Sequence, residues 1–392
     1  MLQSVSNIDN VVSNMISEEV LIKIIRCILD PNVSDYEITV ENWKELISLA
    51  KKNGVFQYVY RYMKSLDPQN HPSSDITLYM DKLNAMELRT GILQDYSIET
   101  LRNRFEEKGV DHIFIKGSVT KSRYPDQYLR SMGDIDLLYK PEQHKILCDQ
   151  MEVLGYNTRH VGRVHDIYIN DSNIAVEAHR QLVSSSSTYY KFCENIWDRV
   201  EKRQDYQYEY MMQLEDEFLF NFIHLASHFK KGGIGIRFIV DIWIYKQLDM
   251  NWEYIKDRLE CLNLTRLYTA IDMLSEKWFG KKENHYGFIN DIENYILSGG
   301  VFGNSENRKN AVVKNGKVKY FFKICFPNYD EMKSMFPSLK HKAMLPAAWL
   351  YRVFQSIIKR RKNVKALLEP IKSGNMDEAI EMKQFFKKYG LD

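Results

Sequence analysis

The sequence predicts an α+β fold in which a small mixed β-sheet is flanked by N-terminal and C-terminal helical regions. Residues 1–109 and 184–392 contain stretches whose apolar residues recur at helical spacing, whereas residues 110–183 contain short apolar runs of strand length. We therefore divide the chain into an N-terminal helical region, a core and a C-terminal helical region at these positions.

The N-terminal region is predicted to form helices. Residues 18–29 and 40–52 each place apolar side chains on one stripe, and the second stretch ends at Gly54, a residue suited to a helix C-terminus. The segment Asp75–Lys108 contains no proline, which predicts one long helix, or two in series, that closes at Gly109.

The core begins with a predicted strand at residues 110–115, and a second strand at residues 134–139 carries two aspartates. Pro141 then opens a helix that ends near Gly155. Residues 164–179 contain two β-like runs separated by the turn residues Asn-Asp-Ser, which predicts a hairpin. This order suits a small mixed sheet with helices on one side.

The C-terminal region is again predicted to be helical. Its clearest helices are residues 215–230 and 236–248, whereas residues 299–317 are polar and glycine-rich and predict an exposed loop. Residues 343–365 are mainly apolar in their N-terminal part and basic towards their C-terminal end. This stretch is either a core-packed helix with a solvated end or a contact for RNA or an anionic membrane.

Composition narrows the class of protein. The net charge of +2 argues weakly against a protein that coats nucleic acid. The N-terminus lacks the pattern of a secretion signal. The sequence contains no uninterrupted apolar run of about 18 residues, so we expect no membrane span. Five separated cysteines without a CxxC pair indicate free thiols, so we expect a cytoplasmic protein.

A candidate phosphate site follows the first core strand. Lys116-Gly117-Ser118 would form a turn at the start of a short helix, where free backbone N–H groups and the helix dipole attract anions. Gly117 lets the backbone come close to a phosphate, and the hydroxyl of Ser118 adds a donor. A Gly-Ser pair can also be simply a turn.

Three carboxylates are candidate metal ligands. Asp134 and Asp136 are two residues apart in a strand, so they share a face and can share divalent ions. Glu177 lies in a second apolar strand and would face the same way as His179. The alternatives are exposed carboxylates at a strand start and an edge-strand glutamate that faces water.

A second cluster lies on the C-terminal helices. Asn221, His224 and His228 share one face of their predicted helix, and the histidines have the i, i+4 spacing of a metal-binding pair. They fit a structural role better than substrate contact or a zinc site. Arg237 and Asp241 are also four residues apart, and they form either a helical ion pair or part of an acceptor pocket.

Taken together, these motifs resemble the uncharacterised nucleotidyltransferase family of the polymerase-β-like superfamily. The similarity is strongest over residues 90–250. It rests on the motifs Phe114-Ile115-Lys116-Gly117, Tyr124-Pro125, Arg130, Asp134-Ile135-Asp136-Leu137-Leu138 and Val176-Glu177-Ala178-His179. Arg180 stands where such proteins commonly have tryptophan, a departure that bears on the pocket more than on the metal site.

The resemblance implies transfer of a nucleotide from an NTP with two Mg²⁺ ions, or Mn²⁺ in their place. Asp134 and Asp136 would hold both ions, and Glu177 would bind the one at the acceptor oxygen. Gly117 and Ser118 would hold the β- and γ-phosphates.

The resemblance also implies roles for cationic and polar side chains around the nucleotide. Charge on the leaving pyrophosphate would be neutralised by Lys116, Arg123 and Arg130. The candidates for contact with the acceptor are His179, His224, His228, Arg237 and Asp241.

The predicted activity is therefore transfer of an NMP group to a hydroxyl or phosphate, with a small molecule or sugar as the expected acceptor. One alternative is a toxin-like enzyme that modifies tRNA or a protein. Others are a non-catalytic NTP-binding module with the same fold and an all-helical scaffold in which the Asp-Ile-Asp motif is a coincidence.

Overall fold

The computed structural model of this protein describes residues 17–30, 38–280, 289–300, 316–329, 341–359 and 376–391, together with a few isolated positions between these ranges. Every site residue predicted from the sequence lies within them. The predicted loop at 299–317 and the basic end of the stretch 343–365 lie largely outside the described residues.

A seven-stranded mixed sheet forms the centre of the protein, with the strand order β3-β4-β5-β2-β1-β7-β6. The pairs β2–β5 and β1–β7 are parallel, and the other neighbours are antiparallel. The strands are β1 His112–Ile115, β2 Ile135–Tyr139, β3 Asn157–Val161, β4 His165–Ile169, β5 Ala175–His179, β6 Val200–Lys202 and β7 Glu209–Met212. The predicted α+β class is confirmed.

Helices precede the sheet, connect its strands and follow it. Before and within the sheet they are α1 (residues 17–29), α2 Trp43–Asn53, α3 Phe56–Ser65, α4 Ser74–Lys108, α5 Gly117–Thr120, α6 His144–Val153 and α7 Tyr190–Cys193. After the sheet they are α8 Leu214–Lys231, α9 Ile236–Lys246, α10 Trp252–Cys261, α11 Thr265–Phe279 and α12 Asn290–Leu297, and further helices span Lys317–Cys325, Leu345–Lys359 and Met376–Lys388.

Several local predictions are confirmed. Helices α2 and α4 end where glycine was expected to cap them, because Gly54 and Gly109 adopt left-handed φ angles of 66° and 70° that glycine tolerates best. A short 3-10 turn at Pro141 leads into α6. Strands β4 and β5 form the predicted hairpin.

Helices cover both faces of the sheet, so the expectation of helices on one side was wrong. On one face, Leu137 packs with the C-terminal half of α4 and with α6. On the other, Ile113 and Leu138 join the larger core formed with the N-terminal helices and with α8–α12. Both faces are covered because adjacent residues such as Leu137 and Leu138 are apolar and point in opposite directions.

The sheet also contains strands that the sequence did not predict. Strand β3 is solvent-exposed along its length, and β6 and β7 come from the region assigned to C-terminal helices. The division into three regions stays a prediction.

Two further findings bear on the class of protein. All five cysteines are free thiols, as predicted. Among the described residues no helix has the length and apolar character needed to cross a membrane.

Candidate active site

The sheet brings the three predicted carboxylates together. Asp136 on β2 is the direct neighbour of Glu177 on the parallel strand β5. Asp134 comes immediately before β2, two residues from Asp136, and therefore faces the same side of the sheet. We call Asp134, Asp136 and Glu177 the acid cluster.

The Lys116–Ser118 turn lies beside this cluster, where β1 ends. Lys116 has a φ of 51°. Among the described residues, the other non-glycine positions with positive φ are Asn or Asp, which tolerate that region better. Strain of this kind is often retained at functional sites. Ser118 ties the turn to β2, because its hydroxyl accepts a hydrogen bond from the Asp136 backbone N–H at 3.1 Å.

Gly117 is required by close packing. A Cβ atom at this position would lie 2.9 Å from the Arg130 guanidinium and 3.0 Å from the side chain of Met132. Helix α5, which begins here, has a single turn. The expected attraction for phosphate therefore depends on individual N–H groups rather than on a long helix dipole.

The ammonium group of Lys116 points into the acid cluster. It forms an ion pair with Asp136 and lies 3.9 Å from Glu177 and 3.4 Å from the Nε2 atom of His179. Burial disfavours the charged lysine, but Asp136 and Glu177 outweigh that effect and raise the pKa of Lys116. Burial likewise disfavours ionised Asp136, yet Lys116 and His179 hold its pKa well below the usual range.

Asp134 has a different environment. It forms no ion pair with any described residue, and it is half-buried. Burial, together with repulsion from Asp136 and Glu177, raises the pKa of Asp134 to about 6. The acid cluster therefore carries more negative charge than Lys116 neutralises, an arrangement that a bound cation relieves.

A cleft separates two members of the acid cluster, Asp134 and Asp136, from helices α8 and α9, which we call the helical wall. Glu177 lies outside the lining of this cleft. The turn and sheet side of the cleft includes Lys116, Gly117, Asp134 and Asp136. The predicted residues on the helical wall are His224, Arg237 and Asp241.

Arg130 crosses the cleft to the helical wall. Its guanidinium forms a two-pronged ion pair with Asp241 at 2.7 and 2.9 Å, and the Tyr124 hydroxyl donates to the same carboxylate at 2.5 Å. Both members of the pair are almost completely buried. Asp241 is thus paired with Arg130 rather than with Arg237.

Arg123 lies outside the cleft lining. It binds Glu217 on α8 at 2.7 Å, and Tyr245 on α9 donates to the same carboxylate at 2.5 Å. Asn221, which lines the cleft, donates to the Tyr245 hydroxyl at 2.7 Å. This network satisfies the guanidinium of Arg123 within the protein.

Arg237 lines the cleft from the helical wall and has no carboxylate ion-pair partner among the described residues. It donates to the backbone oxygen of Ser131 at 2.9 Å, and among the described residues it forms no ion pair. Its Nε atom is buried without a hydrogen-bond partner in that part of the chain. Burial, with repulsion from Arg130, lowers the pKa of Arg237 to about 10, so the group remains charged at neutral pH.

The two helical histidines contact each other, with ring centres 4.4 Å apart. His224 lines the cleft, and burial lowers its pKa well below the usual value, so the ring is neutral. His228 lies outside the cleft lining and packs on Phe238. Neither His224 nor His228 belongs to a group of described side chains that could hold a metal ion.

A comparison with known families agrees with this geometry. The model of a family described as uncharacterised nucleotidyltransferase matches residues 39–280. The chain belongs to this family. The matched range contains every candidate site residue, and the family description supports nucleotidyl transfer from an NTP. Neither the curated proteins nor the solved structures include a significant match.

The sequence analysis did not identify one residue of the site. His165 on β4 is paired with His179 on β5 and lies 3.6 Å from Glu177. The turn between the two strands fixes this register, so counting outward from the turn could have placed His165 opposite His179, and therefore near Glu177. The role assigned to each site residue stays a prediction.

Proposed function

We propose that this protein is a metal-dependent, polymerase-β-like nucleotidyltransferase that moves an NMP group from an NTP to a hydroxyl or phosphate of an acceptor. The observation that carries the proposal is the register that makes Asp136 and Glu177 neighbours beside the Lys116–Ser118 turn. Membership in a nucleotidyltransferase family supports it independently.

The acid cluster fits Mg²⁺, with Mn²⁺ as the alternative. Its donors are carboxylate oxygens, which both ions prefer, and the raised pKa of Asp134 marks negative charge that the protein leaves uncompensated. Asp134 and Asp136 would hold two ions, and Glu177 would hold one of them. When bound, such ions lower the pKa of the acceptor group and stabilise charge on the phosphates.

The protein's own groups would bind the triphosphate from two sides. Lys116 lies at the phosphate turn, and Arg237 is charged, lines the opposite wall and has no carboxylate partner among the described residues. We therefore assign the neutralisation of phosphate charge to Arg237 ahead of Arg123 and Arg130, whose guanidinium groups are already paired. Lys116 keeps its assignment because it lies at the phosphate turn, although its ammonium group is paired with Asp136.

We assign to Glu177 the role of accepting the proton that leaves the acceptor. His179 lies 3.5 Å from its carboxylate and stabilises the charged form, so the pKa of Glu177 lies below its usual value although burial opposes this. Its lowered pKa keeps the carboxylate ionised and ready to accept a hydrogen bond from the acceptor hydroxyl.

A small molecule or sugar is the acceptor class that we propose. The helical wall offers polar groups suited to a hydroxylated ligand, among them the neutral ring of His224 and the amide of Asn221. The net charge of +2 gives no overall electrostatic preference for a long nucleic acid.

The experiment is to incubate the protein with Mg²⁺ and each labelled NTP in a metabolite extract, and to follow product masses. We expect an NMP-sized mass increase on a small molecule. Glu177→Gln should lower the rate of transfer while leaving the affinity for NTP nearly unchanged, because its carboxylate acts on the acceptor side. Equal turnover for this variant would remove Glu177 from its role.

Other outcomes distinguish the alternatives. Label on tRNA or protein would identify a toxin-like enzyme. Magnesium-dependent NTP binding without transfer in any extract would indicate a non-catalytic module, and absence of both binding and transfer would overturn the proposal.

A further inference from the structure

A second group of metal-ligating side chains lies at the edge of the acid cluster. His165, Glu177 and His179 each offer one donor atom, and these three atoms lie within 4.8 Å of one another. The Nε2 atom of His165 is 3.6 Å from one carboxylate oxygen of Glu177, and Nε2 of His179 is 3.5 Å from the other.

Rigid backbone positions these donors. His165 and His179 are direct neighbours on the antiparallel strands β4 and β5, and Glu177 is two residues from His179 on the same face. Because bonds from zinc to nitrogen or oxygen are about 2.0–2.2 Å long, the donors of a shared ion lie about 3–3.5 Å apart. The two histidine–glutamate separations lie close to this range, and the three donors as a set, which lie within 4.8 Å, must draw together by about 1 Å to share an ion.

The imidazole rings are available as ligands. The Nδ1 atoms of both histidines are buried and have no hydrogen-bond partner within the described structure. Nε2 of His179 donates to Asp136 at 2.8 Å, so this nitrogen can bind a metal only in the tautomer that carries the proton on Nδ1. Asp136, which lies 2.8 Å from Nε2 of His179, adds an oxygen donor next to the group.

The donor set selects a different class of ion from the one proposed for catalysis. Two imidazole nitrogens with one carboxylate suit zinc and similar first-row transition ions, whereas Mg²⁺ prefers oxygen ligands. We propose that His165, Glu177 and His179 form a transition-metal site beside the acid cluster. The site shares Glu177 with the proposed catalytic residues but does not depend on nucleotide transfer.

Lys116 provides a second test, in which metal binding should change in the opposite direction. Its ammonium group lies 3.4 Å from Nε2 of His179 and 3.9 Å from Glu177, and so competes with an ion for this corner. Removing a ligand should therefore weaken metal binding, whereas removing the lysine charge should strengthen it.

The test is a Co²⁺ titration in excess Mg²⁺, followed by the visible absorption that cobalt acquires on binding imidazole nitrogen. We expect the wild-type protein to bind Co²⁺ and His165→Ala to bind it at least about 10-fold more weakly, because one of three ligands is lost. Lys116→Met should bind it more tightly. The matched control is His160→Ala, since His160 is exposed on the neighbouring strand β3.

Asp134→Asn separates this site from the proposed function. It should keep the cobalt spectrum while losing nucleotide transfer, because Asp134 belongs to the acid cluster alone. Cobalt bound equally well by wild type and His165→Ala, or no imidazole spectrum in the wild type, would overturn the transition-metal site and leave the proposed function standing. Thermal unfolding with chelator present would verify that each variant is folded.

Discussion

The helical wall and the acid cluster both bury charge on opposite sides of one cleft, but they balance it differently. On the helical wall, Asp241 is paired with Arg130, and Glu217 is paired with Arg123. In the acid cluster, the ammonium group of Lys116 pairs with Asp136 and lies 3.9 Å from Glu177, whereas Asp134 has no ion pair with a described residue. Removing one member of a matched buried pair destabilises the fold, whereas unmatched buried charges mark a candidate place for a ligand.

The largest expected effect is a loss of stability when a matched ion pair of the helical wall is broken. Arg130→Met should lower the free energy of unfolding by about 3–5 kcal/mol, because Asp241 would remain buried without its partner. Urea denaturation measures this loss. The control is Arg61→Met, whose ion pair with Asp126 is over a third exposed and should contribute about 1 kcal/mol or less. Equal losses for both variants would contradict the comparison.

On the unmatched side, activity should suffer rather than stability. Asp134→Ala should reduce nucleotide transfer by more than about 100-fold, because metal ions stabilise charge throughout the reaction and Asp134 has no ion-pair partner among the described residues to lose. Circular dichroism should show an intact fold, and Asp149→Ala, at an exposed site on α6, should behave as wild type. If Asp134→Ala and Asp136→Ala both retained full activity, the metal assignment would fail.

A comparison of Arg237 with Arg123 tests which of the two guanidinium groups binds NTP. Arg237→Gln should raise the KM for NTP about 10-fold, the equivalent of about 1.4 kcal/mol, because its charge has no carboxylate partner in the described structure. Arg123→Gln should change the KM much less, since Glu217 already binds that guanidinium. Steady-state kinetics would decide, and the reverse order would support the sequence-based assignment of Arg123.

A pH dependence of stability is also expected, and it should arise from the acid cluster. Asp134 has a pKa of about 6 in the folded protein against 3.8 as the ordinary value, so the folded state binds its proton more strongly. Without metal, stability should therefore fall as pH rises from about 4 to about 6. Chemical denaturation across this range should show the fall in wild type, and a fall of the same size in Asp134→Asn would exclude Asp134 as its source.

Local patterns made much of the site predictable. Alternation along a strand put Asp134 and Asp136 on one face, and the turn after β4 predicted the strand that carries Glu177. Glycine positions predicted the ends of α2 and α4. Each of these features depends on residues that are close in sequence, or on the regular alternation of side chains along a strand.

Partners far apart in the chain were not predictable. Arg130 and Asp241 are 111 residues apart, and nothing in their surrounding sequence distinguishes Arg130, which is paired, from Arg237, which lacks a carboxylate partner among described residues. Strand β7 has four residues and pairs with β1 almost a hundred positions earlier. Such short, partly polar segments become strands only because the tertiary structure offers them an edge.

The position of β7 limits how this protein can be shortened. A fragment ending at residue 183 would strip β1 of one neighbour and would leave the guanidinium groups of Arg123 and Arg130 without Glu217 and Asp241. Such a fragment would present an open strand edge and uncompensated positive charge, both of which favour aggregation over folding. The smallest autonomous unit must therefore extend at least through α9.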